Sequence, residues 1–148
     1  MALMIEVSHV SSDLPEGLSS LAMEARREGY RFVDRLVDEW VDGRNRFDRN
    51  GERLMMANID GSLVAIGGLT IEPAMTEALR MRRFYVHPSY RGQGIGGLLA
   101  RELLEHARHA TNQVTVNAGT VGAAAFWQKL GFQLCERDGY SHILRLAE

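Results

Sequence analysis

Apolar positions along the chain change their spacing several times, and each change marks an element. Residues 3–10 alternate loosely between apolar and polar, which predicts a first strand. Leu18, Leu21, Ala22 and Ala25 then recur at helical spacing; Asp13 and Glu16 ahead of them are spaced as a capping box, with Pro15 early in the first turn. Gly29 divides this helix from a second one striped by Tyr30, Val33, Leu36, Val37, Trp40 and Val41. Arg31, Asp34, Arg35, Asp38 and Glu39 read as its solvated face, laced by ion pairs one turn apart. Gly43 closes that helix, and residues 44–52 form a polar loop. Arg53–Ile59 and Ser62–Ile71 read as a hairpin about Asp60-Gly61, with Gly67-Gly68 marking a bulge or a close backbone approach.

Residues 78–86 continue the pattern as a third antiparallel strand, and a long helix follows to about Ala110. Residues 113–117 make a short strand. Thr120 can cap a helix carrying Val121, Ala124, Ala125, Trp127 and Leu130, which Gly131 ends. Residues 132–136 and 140–146 close the chain as a hairpin around Asp138-Gly139. The order βααβββαβαββ predicts an α/β fold in one domain spanning residues 1–148. Its sheet is mixed and mostly antiparallel, of about six or seven strands with about four flanking helices. One parallel pairing is expected, between the strands on either side of the long helix.

Composition adds little to this but excludes several classes. With 45% hydrophobic and 24% charged residues, the 148-residue chain can bury an ordinary globular core. A net charge of −2 argues against a broad basic face for nucleic acid. Cys135 alone forms no internal disulfide, the first residues have no basic start, and no run approaches the roughly 20 apolar residues of a membrane span. A cytoplasmic protein with neither membrane nor nucleic-acid partner is the expectation.

One stretch stands apart. The strand ending at Phe84-Tyr85-Val86-His87 meets Pro88, which pushes the preceding residue out of helical geometry. Four glycines then fall within six residues, at 92, 94, 96 and 97, before helical spacing resumes at Ile95, Leu98, Leu99 and Leu103. Strand, glycine loop and helix start outline a phosphate cradle, because glycine exposes bare N–H groups and the helix N-terminus favours an anion. A plain turn would need one glycine. Gly92 to Gly97 formally fits the dinucleotide fingerprint, but the strands before it are hairpins and the next strand ends at Asn117, not at an acid. No Gly-Lys-Ser/Thr follows, so it is not a nucleotide P-loop.

Tyr85-Val86-His87-Pro88-Ser89-Tyr90-Arg91-Gly92-Gln93-Gly94-Ile95-Gly96 resembles the strand and R/Q-x-x-G-x-G/A loop of the GNAT superfamily of acetyl-CoA-dependent N-acetyltransferases. Downstream, Ala125-Phe126-Trp127-Gln128-Lys129-Leu130-Gly131-Phe132 is similar to the late helix of the same family. The resemblance implies a GNAT-like fold with acetyl-CoA as co-substrate and no metal. Backbone N–H groups of Arg91, Gly92, Gln93, Gly94, Ile95, Gly96 and Gly97 would hold the coenzyme A pyrophosphate, Arg91 adding charge. The pantetheine arm would pair with Phe84, Tyr85 and Val86 like an added strand, in a gap where two strands splay. Asn117 at the splayed end bonds the cofactor or caps the next turn, two readings equally open.

Chemistry is where the pattern departs. The family often carries a tyrosine that protonates the departing thiolate, at the position held here by Trp127. Trp127 borders the cofactor in this reading, but indole donates a hydrogen bond and not a proton at neutral pH. Tyr85, Tyr90 and Tyr140 are the replacements in view, Tyr140 foremost; water can also serve a thiol of pKa about 8.5. Where some relatives place a glutamate base, this chain has Arg80, Arg82 and Arg83. Glu72, or Glu24 and Glu28, are the candidate bases, and each also reads as an ordinary surface carboxylate. Lack of a base favours an α-amine, neutral on the order of once in ten near pH 7, over a lysine side chain, neutral a few times in ten thousand.

The arginines suggest an acceptor bearing a carboxylate or phosphate; equally, they pair with Glu72, Glu77 or the 3′-phosphate of coenzyme A. Glu28, Asn45 and Arg82 are the candidate acceptor-binding residues, although a solvated loop with Phe47 plugging the core explains Asn45 as well. The implied activity is direct acetyl transfer from acetyl-CoA to a primary amine of a small molecule, through a ternary complex. A protein or peptide acetyltransferase and a non-catalytic acyl-CoA-binding module are the alternatives. Homodimers are common in the family, so a second copy of the chain is a candidate partner.

Overall fold

The computed structural model describes residues 4–146, so Leu3 of the expected first strand lies outside the described residues. The elements are β1 (Ile5–Val10), α1 (Leu18–Arg27), α2 (Phe32–Asp42), β2 (Arg53–Ile59), β3 (Ser62–Ile71), β4 (Leu79–Val86), α3 (Ile95–Ala107), β5 (Gln113–Val116), α4 (Val121–Lys129), β6 (Gln133–Arg137) and β7 (Tyr140–Arg145). Seven strands form one sheet in the order β1-β2-β3-β4-β5-β7-β6. Among the described strands only β4 and β5 run parallel, as expected for the strands that flank α3. Asp60 and Gly61 both adopt positive φ, the geometry that turns β2 tightly into β3.

Alternating side chains divide the core into two layers. Ile95, Leu99, Leu103 and Ala107 of α3 cover Ala57, Leu69, Leu79, Met81 and Val114 on one face. On the other, Leu21, Ala25, Val33 and Leu36 of α1 and α2 cover Leu54, Ile66 and Tyr85.

Three local readings need correction. No side chain caps α1: the Asp13–Glu16 box is displaced by Gly17, whose left-handed backbone (φ 88°) starts the helix. Val41 is 71% exposed because the apolar face that α2 turns to the sheet is made by Val33, Leu36 and Trp40, with Phe32 and Val37 at its edges. The α2 polar face is not wholly solvated either, since Glu39 turns inward to Arg83 on β4.

That pairing sits at the main irregularity of the sheet. Across β3 and β4, Gly68 opposes Arg82 and Ile66 opposes Tyr85. Gly67 alone therefore faces both Arg83 and Phe84, and Arg83 takes a positive φ of 55°. Two residues against one is a β-bulge, which bends its strand and shifts the side-chain alternation. Met81 consequently packs with α3, whereas Tyr85, four residues on, packs with α1 and α2. Both glycines of β3 are required by close approach. A Cβ on Gly67 would lie 2.5 Å from the Phe84 ring, and one on Gly68 would collide with Phe47.

Phe47 fills that space in a left-handed conformation (φ 52°), its N–H donating to the Asn45 side-chain oxygen at 2.9 Å. Gly68→Ala is expected to lower stability by about 1–3 kcal/mol, the usual range for overpacking a filled core. Urea denaturation measures this, and an unchanged midpoint would show that Phe47 gives way freely.

Candidate active site

The bulge opens the sheet. Pairing of β4 with β5 covers Leu79, Met81 and the residue between them, and ends there. Beyond Met81 the two strands part around a cleft of about 1160 Å³, lined by both of them, by the glycine loop and by α4. Thr120 caps α4 by accepting from the Ala123 N–H at 3.0 Å. Ser141 holds the approach to α4, accepting from the Ala118 N–H at 2.9 Å and donating to the Val116 carbonyl at 3.3 Å. Asn117 is thus exposed in the cleft lining and is not the cap of α4.

At one end of the cleft lies the glycine loop. Gly92 and Gly94 have φ of 78° and 83°, and nothing would meet a Cβ on either, so backbone conformation and not crowding requires glycine there. Gly96 differs: a Cβ would stand 3.2 Å from Phe126 and 3.3 Å from Val86, so it lets α3 seat closely against β4 and α4. Among the described residues, the N–H groups of Gly92, Gln93, Gly94, Ile95, Gly96 and Gly97 donate to no backbone carbonyl. Six free donors at the start of a thirteen-residue helix favour an anion there. Arg101 and Lys129 add cationic side chains to the lining.

The other end is walled by Tyr30, Phe32 and Tyr85, with ring centroids 5.4–6.5 Å apart, and by Arg80, Arg82 and Arg83. Arg83 is held by Glu39, one guanidinium nitrogen meeting both carboxylate oxygens at 3.0 Å, with side chains only 9% and 19% exposed. Removing either partner would strand a nearly buried charge. Burial, then the neighbouring Arg83 and Arg80, push the Arg82 pKa down.

Between the two ends Arg91 bridges three elements. Its Nε donates to the Val86 carbonyl at 3.0 Å, its terminal nitrogens grip Glu28 of the α1–α2 turn at 2.8 and 2.6 Å, and it lies 5.3 Å over the Tyr85 ring. Tyr85 donates its hydroxyl to the same carboxylate. Arg91 hydrogen bonding holds the Glu28 carboxyl below its usual range. Burial, followed by the bond to Glu28, pushes the Tyr85 phenol up.

Residues 17–132 match the acetyltransferase (GNAT) family. The chain belongs to the GNAT family. Its fold is similar to a candidate acetyltransferase of Exiguobacterium sp. 255-15, with TM-score 0.87 and 23% identity over 96% of this chain and 93% of that one. It is also similar to the GNAT-family N-acetyltransferase YhbS of Escherichia coli in complex with CoA (TM-score 0.72, 20% identity, 99% and 84% covered). A GNAT-family acetyltransferase of Elizabethkingia anophelis with acetyl-CoA bound gives 0.66, 15%, 96% and 98%. No curated protein matches the chain. Acetyl-CoA as co-substrate fits a GNAT acetyltransferase, and no described helix is long and apolar enough to cross a membrane.

Against that family frame, the structure sorts the residues expected from sequence. Phe84, Tyr85, Val86, Arg91, Gly92, Gly94, Gly96, Gly97, Asn117, Trp127 and Arg82 all line the cleft. Gln93 and Ile95 do not, although their N–H groups belong to the same run of free donors; Ile95 is buried under α3. Trp127 is 4% exposed and packs edge-on against Phe84, Phe126 and Phe132, so most of its ring belongs to the core.

Five residues expected in catalysis or acceptor binding also fall outside the lining. Glu72 is 1% exposed, accepting from Thr115 Oγ1 at 3.0 Å and from the Ala74 N–H at 2.7 Å, so it braces the β3–β4 connection. Tyr140 is buried in β7. Asn45 shapes the turn that delivers Phe47. Glu28 stands behind Arg91 and Tyr85, and Glu24 is paired with Arg27. Among the described residues, no Asp, Glu or His lines the cleft.

Sequence reasoning passed over Phe32 and the Glu39–Arg83 pair. The signal for Phe32 was its place at the start of the second helix, beside Tyr30.

The Glu28–Arg91 pair carries an acid-side signature. With the folded carboxyl below its ordinary 4.5, the pair stabilises fully above that value. As pH falls through 4.5 towards the lower folded value, the unfolded chain takes the proton first and that stability is lost. Thermal melts across this range should show Glu28→Gln less stable than the parent near neutrality, the two converging in acid. Parallel curves would contradict the assignment.

Proposed function

We propose that the protein acetylates a primary amine of a small molecule, transferring the acetyl group directly from acetyl-CoA within a ternary complex. The observation that carries this reading is one continuous cleft joining the glycine loop with its run of free N–H donors, an unpaired strand edge and an aromatic, arginine-lined end. The donor run fits a pyrophosphate, and Arg101 and Lys129 lie in the same lining to meet further phosphate charge. The β4 edge beyond Met81 offers backbone groups to the amides of a pantetheine arm, as an added strand would. Acetyl-CoA supplies an activated acyl carbon and a thiolate leaving group of pKa about 8.5, which needs little acid assistance. Of the three tyrosines expected from sequence, Tyr90 lines the cleft and is the phenol open to that task; the Tyr85 hydroxyl is already bound to Glu28 and Tyr140 is outside the lining.

With no carboxylate or imidazole in the lining among the described residues, the amine arrives neutral or loses its proton to water. A weakly basic or α-amine suits that condition. The expected kinetics are sequential, with intersecting lines when both substrates are varied. The rate at subsaturating acceptor should rise with pH up to the pKa of the amine, and move with that pKa when the amine is changed. A rise fixed by one enzyme pKa for all amines would contradict the absence of a general base. Binding of acetyl-CoA without thiol release on any small amine or peptide would instead favour a binding module, and turnover on peptides alone a protein acetyltransferase.

A further inference from the structure

Arg80 and Arg82 project from β4 into the lining of the cleft ahead of the bulge. Arg83 has Glu39, but among the described residues neither Arg80 nor Arg82 has an ion-pair or hydrogen-bonding partner. Three guanidinium groups, at positions 80, 82 and 83 of one strand, are therefore matched by a single ion-paired carboxylate. Glu72 also acts electrostatically on Arg82, but its two oxygens already accept from Thr115 and Ala74 and it forms no ion pair with either arginine. The buried Nε atoms of Arg80 and Arg83 and the buried hydroxyl of Thr70, opposite Arg80 in register, are all unpartnered.

Unpaired like charges held half-buried cost stability in the empty protein, and a bound anion relieves that cost. Guanidinium groups meet a carboxylate or phosphate through paired N–H donors. Beside them, the half-buried Phe32 and the 36%-exposed Tyr30 offer an apolar, aromatic wall.

We propose that Arg80 and Arg82 form an anion subsite for the carboxylate or phosphate of the acceptor, with Tyr30 and Phe32 against its apolar body. This rests on the acetyltransferase reading and names its substrate class: an amine that carries a negative group. The subsite is separate from the glycine loop, so coenzyme A binding does not depend on it.

The test is calorimetry on the CoA-saturated protein with a panel of α-amino acids and phosphorylated amines, each beside its descarboxy or dephospho counterpart. At least one anionic amine should bind about tenfold or more tightly than its neutral partner, and its series tells carboxylate from phosphate. Arg82→Gln should shrink that preference to about threefold or less while leaving the CoA affinity unchanged, with Arg80→Gln as the second variant should the first fail to fold. Equal binding of charged and neutral partners, no binding of any anionic amine, or an undiminished preference in both variants would overturn the subsite. If the protein binds CoA but acetylates no member of the panel, the acetyltransferase reading fails. The calorimetric preference still decides the subsite by itself.

Discussion

Everything that makes this sheet a site depends on one extra residue in β4. Opposite Gly67 the strand carries both Arg83 and Phe84, and the positive φ at Arg83 re-aims everything after it. Phe84 turns towards α4, where it packs on Phe126 and Trp127, and Tyr85 turns towards α1 and α2. The parallel ladder to β5 ends just before the bulge, leaving a strand edge that no protein strand covers. Holding a non-glycine residue there costs of order 1–3 kcal/mol. The nearly buried Arg83–Glu39 pair pins the same residue to α2, so the irregularity is over-determined from both faces of the sheet.

The two ends of the cleft are also connected mechanically. Arg91 opens the glycine loop, yet its side chain grips Glu28 between α1 and α2 and the carbonyl of Val86 at the end of β4. Loop, strand and acceptor-side helices are thereby tied at one point. A guanidinium already paired with a carboxylate brings little net charge to a pyrophosphate, so the proposed pyrophosphate site rests on the backbone donors. Sequence reasoning assigned Arg91 a charge contribution; geometry makes it a tether.

Sequence periodicity was sufficient for the element order, for the hairpin at Asp60-Gly61 and for the parallel pairing across α3, because local spacing and handedness determine these. The glycine loop was legible for the same reason: glycine at 92 and 94 is a backbone requirement visible in the residue type. What the sequence hid is long-range. Glu39 sits on the polar face of α2, where spacing suggests solvent, and only the sheet beneath reveals its partner 44 residues on. Glu72 and Asn45 carry site-like side chains whose hydrogen bonds are structural, and Tyr140 is sealed in β7. Gly67-Gly68 did announce a close approach, but not that Phe47 and Phe84 would be the groups approaching.

The central claim is that the bulge-opened cleft receives coenzyme A through the backbone of residues 92–97. Amide-resolved NMR of the protein titrated with CoA tests it most directly. The account predicts that the Gly92, Gly94, Gly96 and Gly97 amide resonances shift strongly and that their hydrogen exchange slows, while the Gly61 and Gly139 amides at distant hairpins stay where they are. Saturable CoA binding that leaves the four loop amides unmoved would contradict it.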